Sequence, residues 1–144
     1  MIMKFMRKEI NNMKRQIRRG TFETNSSSVH SLTMCMKSDY DRWKSDNLFL
    51  FTGSGWCYPD YNKPEKNHFY TREEAIAFEK TDKYVSKDTD WTDEDTVNEI
   101  LHENEFYDYN YFWDEYCEYY ETFESSMITT NGEEIISFGY YGHD

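Results

Sequence analysis

The alternation of apolar and polar residues near the start of the chain predicts β-strands. Residues 21–24 (TFET) and 29–36 (VHSLTMCM) are rich in β-branched and apolar side chains, and the NSSS sequence between them is typical of a turn. Apolar positions alternate with polar or small ones along the second segment, as in a half-buried strand: Leu32, Met34 and Met36 against Ser31, Thr33 and Cys35. We therefore expect a strand, a tight loop and a second strand.

The other end of the chain predicts a β-hairpin. Residues 126–130 (SMITT) and 133–141 (EEIISFGYY) flank the dipeptide Asn131-Gly132. An Asn-Gly dipeptide between two such segments favours a two-residue type I′ turn, in which both central residues have positive φ. The strands at the two ends of the chain are candidates for pairing in one sheet.

The middle of the chain carries helix signals. Thr71 and Glu74 have capping-box spacing, so residues 72–82 are expected to form a short helix. A weaker signal of the same kind at Thr92 precedes residues 94–104. Three apolar residues of that segment share one helical face: Val97, Ile100 and Leu101.

Residues 107–124, YDYNYFWDEYCEYYETFE, combine aromatic and acidic side chains. At about 100° per residue, six aromatic residues fall within an arc of roughly 100° on a helix. They are Tyr109, Phe112, Trp113, Tyr116, Tyr120 and Phe123. Three carboxylates, Asp114, Glu118 and Glu121, lie on the opposite side, so we predict one amphipathic helix with an acidic face.

These elements together predict an α+β fold. An antiparallel sheet would contain the N-terminal strands and the C-terminal Asn-Gly hairpin, with two to three helices between them. A length of 144 residues fits one domain with a real core, and the aromatic fraction of 19% argues against a disordered chain. We expect a single α+β domain over residues 20–144, preceded by a basic leader over residues 1–19 that is interpreted as a flexible, solvated tail.

The charge is unevenly distributed. The chain has 16 Lys and Arg against 28 Asp and Glu, but residues 1–20 hold seven of the basic residues and only one Glu. No Lys or Arg follows Lys87. A nucleic-acid-binding surface normally has the opposite balance, so direct binding through the acidic body is disfavoured. The basic leader remains a candidate for contact with nucleic acid, an anionic membrane or the acidic part of the protein itself.

Cysteine usage and hydropathy bear on the compartment. The three cysteines, Cys35, Cys57 and Cys117, are odd in number and too widely spaced for a metal knuckle, which indicates free thiols in a reducing environment. No apolar segment is long enough to span a membrane, and the basic N-terminal residues lack the apolar core of a signal peptide. We therefore expect a cytoplasmic protein with no membrane association, no metal site and no cofactor.

An acidic face without compensating basic residues suggests a partner. Carboxylates one helical turn apart lie about 5–6 Å from each other, a spacing of the same order as the charges along a nucleic-acid strand. Such a face would compete for a basic nucleic-acid channel, and exposed aromatic rings would stand in for bases. The predicted partner-binding residues are Asp93, Glu94, Asp95, Asp114, Glu115, Glu118 and Glu121, together with Tyr111 and Tyr119.

The serine-rich sequence TNSSSVHS, residues 24–31, has several interpretations. It is consistent with a simple turn, or with an anion-binding nest of backbone amides. The candidate anion-binding residues are Arg18, Arg19, Asn25, Ser26, Ser27, Ser28 and His30. Ser28 and His30 also form a candidate nucleophile and base, but no orienting acid beyond Glu23 accompanies them. An enzyme is therefore the less favoured reading, and no catalytic residue is assigned.

Residues 18–34, RRGTFETNSSSVHSLTM, resemble an N-terminal block of small uncharacterised proteins from bacteriophages and related mobile elements. The block has the form RRG-x-FETNSSS-x-HS. The resemblance covers about 17 of the 144 residues and implies a phage-type protein. It implies no particular activity, and no catalytic residue is carried over from it.

Charge and resemblance together predict a phage-encoded inhibitor of a host nucleic-acid-handling defence complex, of anti-CRISPR or anti-restriction type. It would act in the host cytoplasm by stoichiometric binding to a nuclease or CRISPR effector with a basic channel. One alternative is a small phage enzyme, or a nucleotide- or phosphate-binding protein, that uses the TNSSSVHS loop. Another is a structural or accessory phage protein that forms homo-oligomers.

Overall fold

A computed structural model of the protein describes residues 28–143 and confirms the α+β class. The described residues form six strands: β1 (Ser28–Met36), β2 (Phe49–Phe51), β3 (His68–Tyr70), β4 (Phe106–Tyr107), β5 (Glu121–Ile128) and β6 (Glu134–His143). They also form α1 (Lys37–Lys44), α2 (Arg72–Glu79), α3 (Glu94–Glu103) and the single turn α4 (Tyr109–Tyr111), which continues as a π-helical turn over Phe112–Tyr116. The six strands form two three-stranded antiparallel sheets, one in each of two compact units.

The first unit contains residues 28–40 and 113–143. Its strands lie in the order β1–β6–β5, so the N- and C-terminal strands of the described chain pair in one sheet, as the sequence suggested. Phe138 on the central strand β6 lies opposite Thr33 of β1 on one side and Glu124 of β5 on the other. The pairing joins residues about one hundred positions apart in sequence, and it fixes which side chains share a face because side chains alternate along each strand.

One face of this sheet forms the core of the first unit. Ile136, Phe138 and Tyr140 on β6 are buried, and Phe138 has no exposed surface. The ring of Tyr40 lies 5.3 Å from that of Phe138, and the ring of Trp113 lies 6.0 Å from it. Tilted aromatic pairs of this kind add to the free energy gained from burying the rings themselves.

The hairpin between β5 and β6 is confirmed, but its turn is not the predicted type I′. Among the described residues only Asp46, Asn67, Glu105 and three glycines have positive φ, so Asn131 does not, whereas Gly132 has φ 86°. The amide of Gly132 donates to the carbonyl of Thr129 at 2.9 Å, and the amide of Thr129 donates to Glu133 at 2.8 Å. These bonds close a three-residue loop in which a glycine with positive φ follows an ordinary turn.

The second unit contains residues 41–112. Its strands lie in the order β3–β2–β4, and α2 and α3 contribute Ala75, Val97 and Leu101 to a core with Phe51 and Phe106. The indole of Trp43 is fully buried and donates a hydrogen bond to the carbonyl of Tyr107 at 3.0 Å. The burial of both helices follows from their apolar faces, as the sequence pattern predicted for Val97 and Leu101.

The capping box at the start of α2 is confirmed. The amide of Glu74 donates to the Thr71 hydroxyl, and the Glu74 carboxylate accepts from the Thr71 amide at 2.8 Å. The helix ends at Glu79 and not at residue 82, since Lys80 is its C-cap. The N-cap of α3 is Asp93 and not Thr92, whose amide and hydroxyl instead bond the carboxylate of Asp90.

The prediction of one helix over residues 107–124 is wrong. The segment contains the end of β4, the turn α4, the π-helical turn and the first part of β5. The side chain of Asp108 accepts a hydrogen bond from the amide of Tyr111 and begins the helical part. Pairing of Glu121 and the residues after it with β6 ends the helical part, because ladder hydrogen bonds and cross-strand packing outweigh a helical side-chain period.

Candidate functional site

The strongest candidate for a binding surface is a short acidic segment of the first unit, residues 114–121, which we name the acidic turn. It carries Asp114 and Glu115 on the π-helical turn, Glu118 in the turn that follows, and Glu121 at the start of β5. All four carboxylates are exposed. Tyr119 lies among them with 87% of its surface exposed, so the acidic turn presents an aromatic ring as well as negative charge.

The acidic turn does not have the geometry that the sequence predicted. Asp114, Glu118 and Glu121 lie on three different elements and not on one helical face, so they do not form a row with a regular helical spacing. Tyr111 was predicted to be exposed but is half-buried. Its ring stacks on His102 with 3.9 Å between ring centroids and on Tyr107 with 5.1 Å, so its faces pack inside the second unit.

The other predicted acidic residues lie in the second unit, at the start of α3. Asp93, Glu94 and Asp95 are exposed, and the Thr96 hydroxyl donates to the carboxylate of Asp93 at 2.6 Å. Negative side chains in the first turn of a helix are stabilised by the helix dipole. The three carboxylates therefore have a local role at the start of α3, and their predicted part in binding a partner stays a prediction.

The first unit is strongly negative as a whole. Its described residues include one lysine, Lys37, and eight carboxylates. Seven of the eight lie within residues 114–134: Asp114, Glu115, Glu118, Glu121, Glu124, Glu133 and Glu134. A surface with so many like charges attracts a basic partner and speeds its association.

The serine motif lies mostly outside the described residues. Arg18, Arg19, Asn25, Ser26 and Ser27 belong to that part of the chain, as do the predicted strand at residues 21–24 and the basic leader. Ser28 and His30 belong to β1 and lie opposite His143 and Tyr141 of β6. The predicted second strand is therefore confirmed, while the predicted turn and anion site stay predictions.

The first unit has an apolar surface that was not predicted from the sequence. The alternation along β1 is confirmed, but Thr33 is on the buried side and the apolar residues are on the other. Leu32, Met34 and Met127 are 53%, 59% and 56% exposed. We name this side of the sheet the methionine face; across β1, β6 and β5 it carries Leu32–Gly139–Phe123, Met34–Ser137–Ser125 and Met36–Ile135–Met127.

The second unit contains a buried acidic cluster that was also not predicted from the sequence. Glu79 has no exposed surface, and it accepts hydrogen bonds from the Tyr58 hydroxyl and the Asn104 amide. Burial raises the pKa of Glu79 to about 7, with a smaller contribution from the nearby charge of Asp82. One sequence signal was available, since Glu79 follows Ala75 by one helical turn on the apolar side of the capping-box helix.

This cluster does not have the properties of an active site. Asp82 is only 4% exposed, so both carboxylates are enclosed by protein. Burial, with the hydrogen bond and charge of Asp82, raises the pKa of the neighbouring Cys57 thiol to about 11. A catalytic cysteine requires the opposite shift, because the thiolate is the nucleophile. We therefore interpret the cluster as a structural network, in which Tyr58 and Asn104 supply hydrogen bonds to the buried carboxyl group of Glu79.

Comparison with protein-family models, with curated proteins and with solved structures finds no match to this chain. In the part of the chain that the structure describes, no three His, Cys, Asp or Glu side chains are grouped to hold a metal ion. Over the same residues, no helix has both the length and the apolar character needed to cross a bilayer.

Proposed function

We propose that the protein is a stoichiometric inhibitor that occupies the basic, nucleic-acid-binding surface of a host defence protein. The acidic turn carries this proposal: four exposed carboxylates and the exposed ring of Tyr119 lie within eight residues of chain. Mutual repulsion among such charges destabilises the folded protein, and the described residues of the first unit contain one lysine, Lys37, against eight carboxylates. A cationic partner would remove that cost on binding.

The mode of recognition follows from the arrangement of the acidic turn. Because its carboxylates lie on a helical turn, a loop and a strand, the surface does not reproduce a regular row of phosphates. Arginine and lysine side chains of a basic channel are flexible enough to pair with carboxylates at uneven spacing. Tyr119 supplies a flat ring for the aromatic or guanidinium surfaces on which bases normally stack.

The biological setting of the proposal comes from the N-terminal block. Its resemblance to phage and mobile-element proteins supports a role against a bacterial host, and hence a nuclease or CRISPR effector as the target. The three thiols are free, in keeping with action in the host cytoplasm. Inhibition would require one bound copy for each target site and no chemical turnover.

Affinity capture from a bacterial lysate with the tagged full-length protein tests the proposal. We expect recovery of a nucleic-acid-handling protein at low salt, its release at high salt, and its displacement by the nucleic acid that it normally binds. A triple charge reversal in the acidic turn, Asp114→Lys, Glu118→Lys and Glu121→Lys, should abolish the capture.

A matched variant tests whether capture depends on the charges of the acidic turn or only on the net charge of the protein. Asp88→Lys, Glu99→Lys and Glu103→Lys change the net charge equally at exposed positions of the second unit, and this protein should capture the target as the unmodified chain does. Ser28→Ala with His30→Ala should also leave capture intact. Equal loss in both triple variants, or capture that resists high salt and nucleic acid, would contradict the proposal.

A further inference from the structure

Two large aromatic side chains of the second unit are exposed next to each other, on different loops. Trp56, between β2 and β3, is 73% exposed, and Tyr84, between α2 and α3, is 65% exposed. Their ring centroids lie 5.5 Å apart with 51° between the ring planes, and we name these two side chains the ring pair. Large aromatic rings are normally buried, because burial removes a large area from water, so an exposed pair indicates a binding surface.

Hydrogen bonds of the buried acidic cluster hold the two loops together. The thiol of Cys57, next to Trp56 in sequence, hydrogen bonds with the Asp82 carboxylate. The same carboxylate accepts from the amide of Tyr84 at 2.8 Å and from the side-chain amide of Asn104 at 3.3 Å. One enclosed carboxylate therefore fixes the chain beside both rings, and a surface that is already fixed loses little conformational freedom when a ligand binds.

One lysine from each loop lies against the ring pair or the chain that carries it. The ammonium group of Lys83 lies 5.3 Å from the centroid of the Tyr84 ring. The stem of Lys63 packs against Gly55, which precedes the first ring in sequence, so that a Cβ on Gly55 would lie 3.4 Å from it. The amine of Lys63 lies 3.9 Å from the carboxylate of Asp60, which is fully exposed, so water screens this ion pair and leaves the lysine able to bind another anion.

The second of the two loops is locally positive. Residues 80–87 hold three of the nine Lys and Arg in residues 28–143, and their one carboxylate, Asp82, is buried. The three lysines are Lys80, Lys83 and Lys87, all exposed. The exposed Asp88 marks the end of this positive segment. The net charge of −12 disfavours nucleic-acid binding by the chain as a whole, but it does not set the sign of this local surface.

We propose that this surface binds single-stranded nucleic acid: the ring pair stacks two bases, and Lys63 and Lys83 contact phosphates. Aromatic rings stack on bases of any sequence, and lysines neutralise the backbone. Because the two ring planes are inclined by 51°, one flat base cannot stack on both, whereas two bases of a flexible strand can. In a duplex the bases are enclosed in the helix and offer no free face.

The chemistry of the surface favours a nucleic acid over a protein partner. Lysine is depleted in protein–protein interfaces, whereas lysines beside exposed aromatic rings are typical of surfaces that bind single strands. The inference is independent of the proposed inhibitor function, because that function uses the acidic turn of the first unit and this surface lies wholly in the second.

Fluorescence anisotropy of a labelled thymidine oligonucleotide of about 12 nucleotides, titrated with the full-length protein, tests the proposal. Trp56→Ala and Tyr84→Ala should each weaken binding about tenfold. Trp56→Phe, which keeps a ring, should retain most of the affinity. Tyr119→Ala removes an exposed ring of the first unit and should leave the affinity unchanged. The urea midpoint of unfolding of all four variants should stay that of the unmodified protein, since each replaces an exposed side chain.

A pair of double variants tests the lysines. Lys63→Gln with Lys83→Gln should weaken binding at low salt and make the affinity less dependent on salt, because two phosphate contacts are lost. Lys37→Gln with Lys44→Gln changes the net charge equally at exposed positions and should do neither.

Three results would overturn the proposal. If the basic leader carries the binding, Trp56→Ala and Tyr84→Ala will bind the oligonucleotide as tightly as the unmodified protein does. If thymidine monophosphate binds as tightly as the strand, the surface is a pocket for one nucleotide. If no oligonucleotide binds at low salt and Trp56→Ala instead loses a protein that the unmodified chain captures from a bacterial lysate, the surface binds a protein.

Discussion

The hydroxyl of Tyr58 donates a hydrogen bond to the carboxylate of Glu79, a side chain with no exposed surface. Burial dominates the electrostatics of this pair and raises the pKa of Glu79 to about 7. Hydrogen bonds from Tyr58 and Asn104 favour the charged form and act against that shift, while Asp82 adds to it. Glu79 is therefore a proton-binding group in the core of the second unit.

The free energy of unfolding should fall as the pH rises through the range set by Glu79. The native state holds this proton up to a pKa of about 7, whereas the unfolded chain releases it at the ordinary value of 4.5. Between these values the native state binds more protons, so the contribution of Glu79 to stability is fully present below pH 4.5 and is lost as the pH rises through about 7, by about 3 kcal/mol in total.

Urea unfolding at a series of pH values from about 4.5 to 8 measures this dependence. Glu79→Gln cannot ionise, so the pH dependence of its unfolding free energy should be weaker than that of the unmodified protein. Glu99→Gln removes an exposed carboxylate and should keep the original dependence. Equal slopes for the unmodified protein and Glu79→Gln would show that Glu79 does not titrate in this range.

Signals confined to a few neighbouring residues predicted the fold well. The Thr71 capping box, the hairpin at Asn131-Gly132 and the strand beginning near Val29 are all present, because each depends on local hydrogen bonding or on alternation. The turn type was wrong because the choice between a two-residue and a three-residue loop depends on the register of β5 against β6.

Features set by long-range packing were not predictable in the same way. The helical period over residues 107–124 is real in the sequence, but pairing of Glu121 with Tyr141 decides the conformation of its second half. The alternation along β1 revealed two faces without showing which is buried, and the structure places Thr33 inside and Met34 outside. The carboxylates of the acidic turn are exposed as predicted, although the helix predicted to carry them is absent. Their exposure follows from their charge and does not depend on the element that carries them.

Gly139→Ala should destabilise the first unit strongly. A Cβ at this position would overlap the backbone carbonyl oxygen of Ser31 on β1 and would lie 3.0 Å from the ring of Phe123. Because the obstructing atom is backbone in a paired strand, relief requires a shift of the sheet, which should cost about 3 kcal/mol of unfolding free energy. Chemical denaturation of the purified variant measures this loss.

Gly132→Ala is the matched control for that prediction. Gly132 has φ 86° in the hairpin loop, and a Cβ there would meet no atom within 4 Å. Only the conformational cost of a positive φ remains, which is about 1 kcal/mol. A loss for Gly132→Ala as large as that for Gly139→Ala would mean that backbone conformation and not the contact with Ser31 limits the substitution.

Asp108 should stabilise the second unit through two contacts of its carboxylate. One oxygen accepts from the amide of Tyr111 at 2.8 Å, and the other lies 3.1 Å from Nε2 of His102. The hydrogen bond with His102 is the largest cause that lowers the pKa of Asp108. Asp108→Ala should cost about 1–2 kcal/mol at neutral pH, and Asp108→Asn less, because Asn retains the cap.

The sign of the pH dependence of this contribution follows from the lowered pKa of Asp108. The native state releases this proton more readily than the unfolded chain, so the stabilisation is present above the unfolded value of about 4 and is lost as the pH falls below it. Thermal unfolding of the unmodified protein and Asp108→Ala at neutral and acid pH measures the difference. A difference that does not shrink in acid would mean that packing and not charge accounts for the loss.

All three thiols should react slowly with a disulfide reagent in the native protein. Burial is the main cause that raises the pKa of Cys35 and Cys57 to about 11 and that of Cys117 to about 12. The shift of the thiol pKa from its ordinary value of 9.0 to about 11 lowers the thiolate fraction at pH 8 about a hundred-fold, so labelling of Cys35 and Cys57 should be slower by about the same factor. In urea, three thiols per chain should react rapidly, since all three are free.

One substitution distinguishes the cause at Cys57 from that at Cys35. Asp82 raises the pKa of Cys57 through a hydrogen bond and its charge, whereas Asp39 supplies the charge contribution at Cys35. Asp82→Asn should therefore speed labelling of Cys57 and leave Cys35 unchanged, with the labelled sites identified by peptide mass. Loss of the Asp82 charge should act on the neighbouring thiol of Cys57 and not on that of Cys35. If the labelling rates of both thiols rise together, general opening of the protein controls their reactivity and the carboxylate of Asp82 does not.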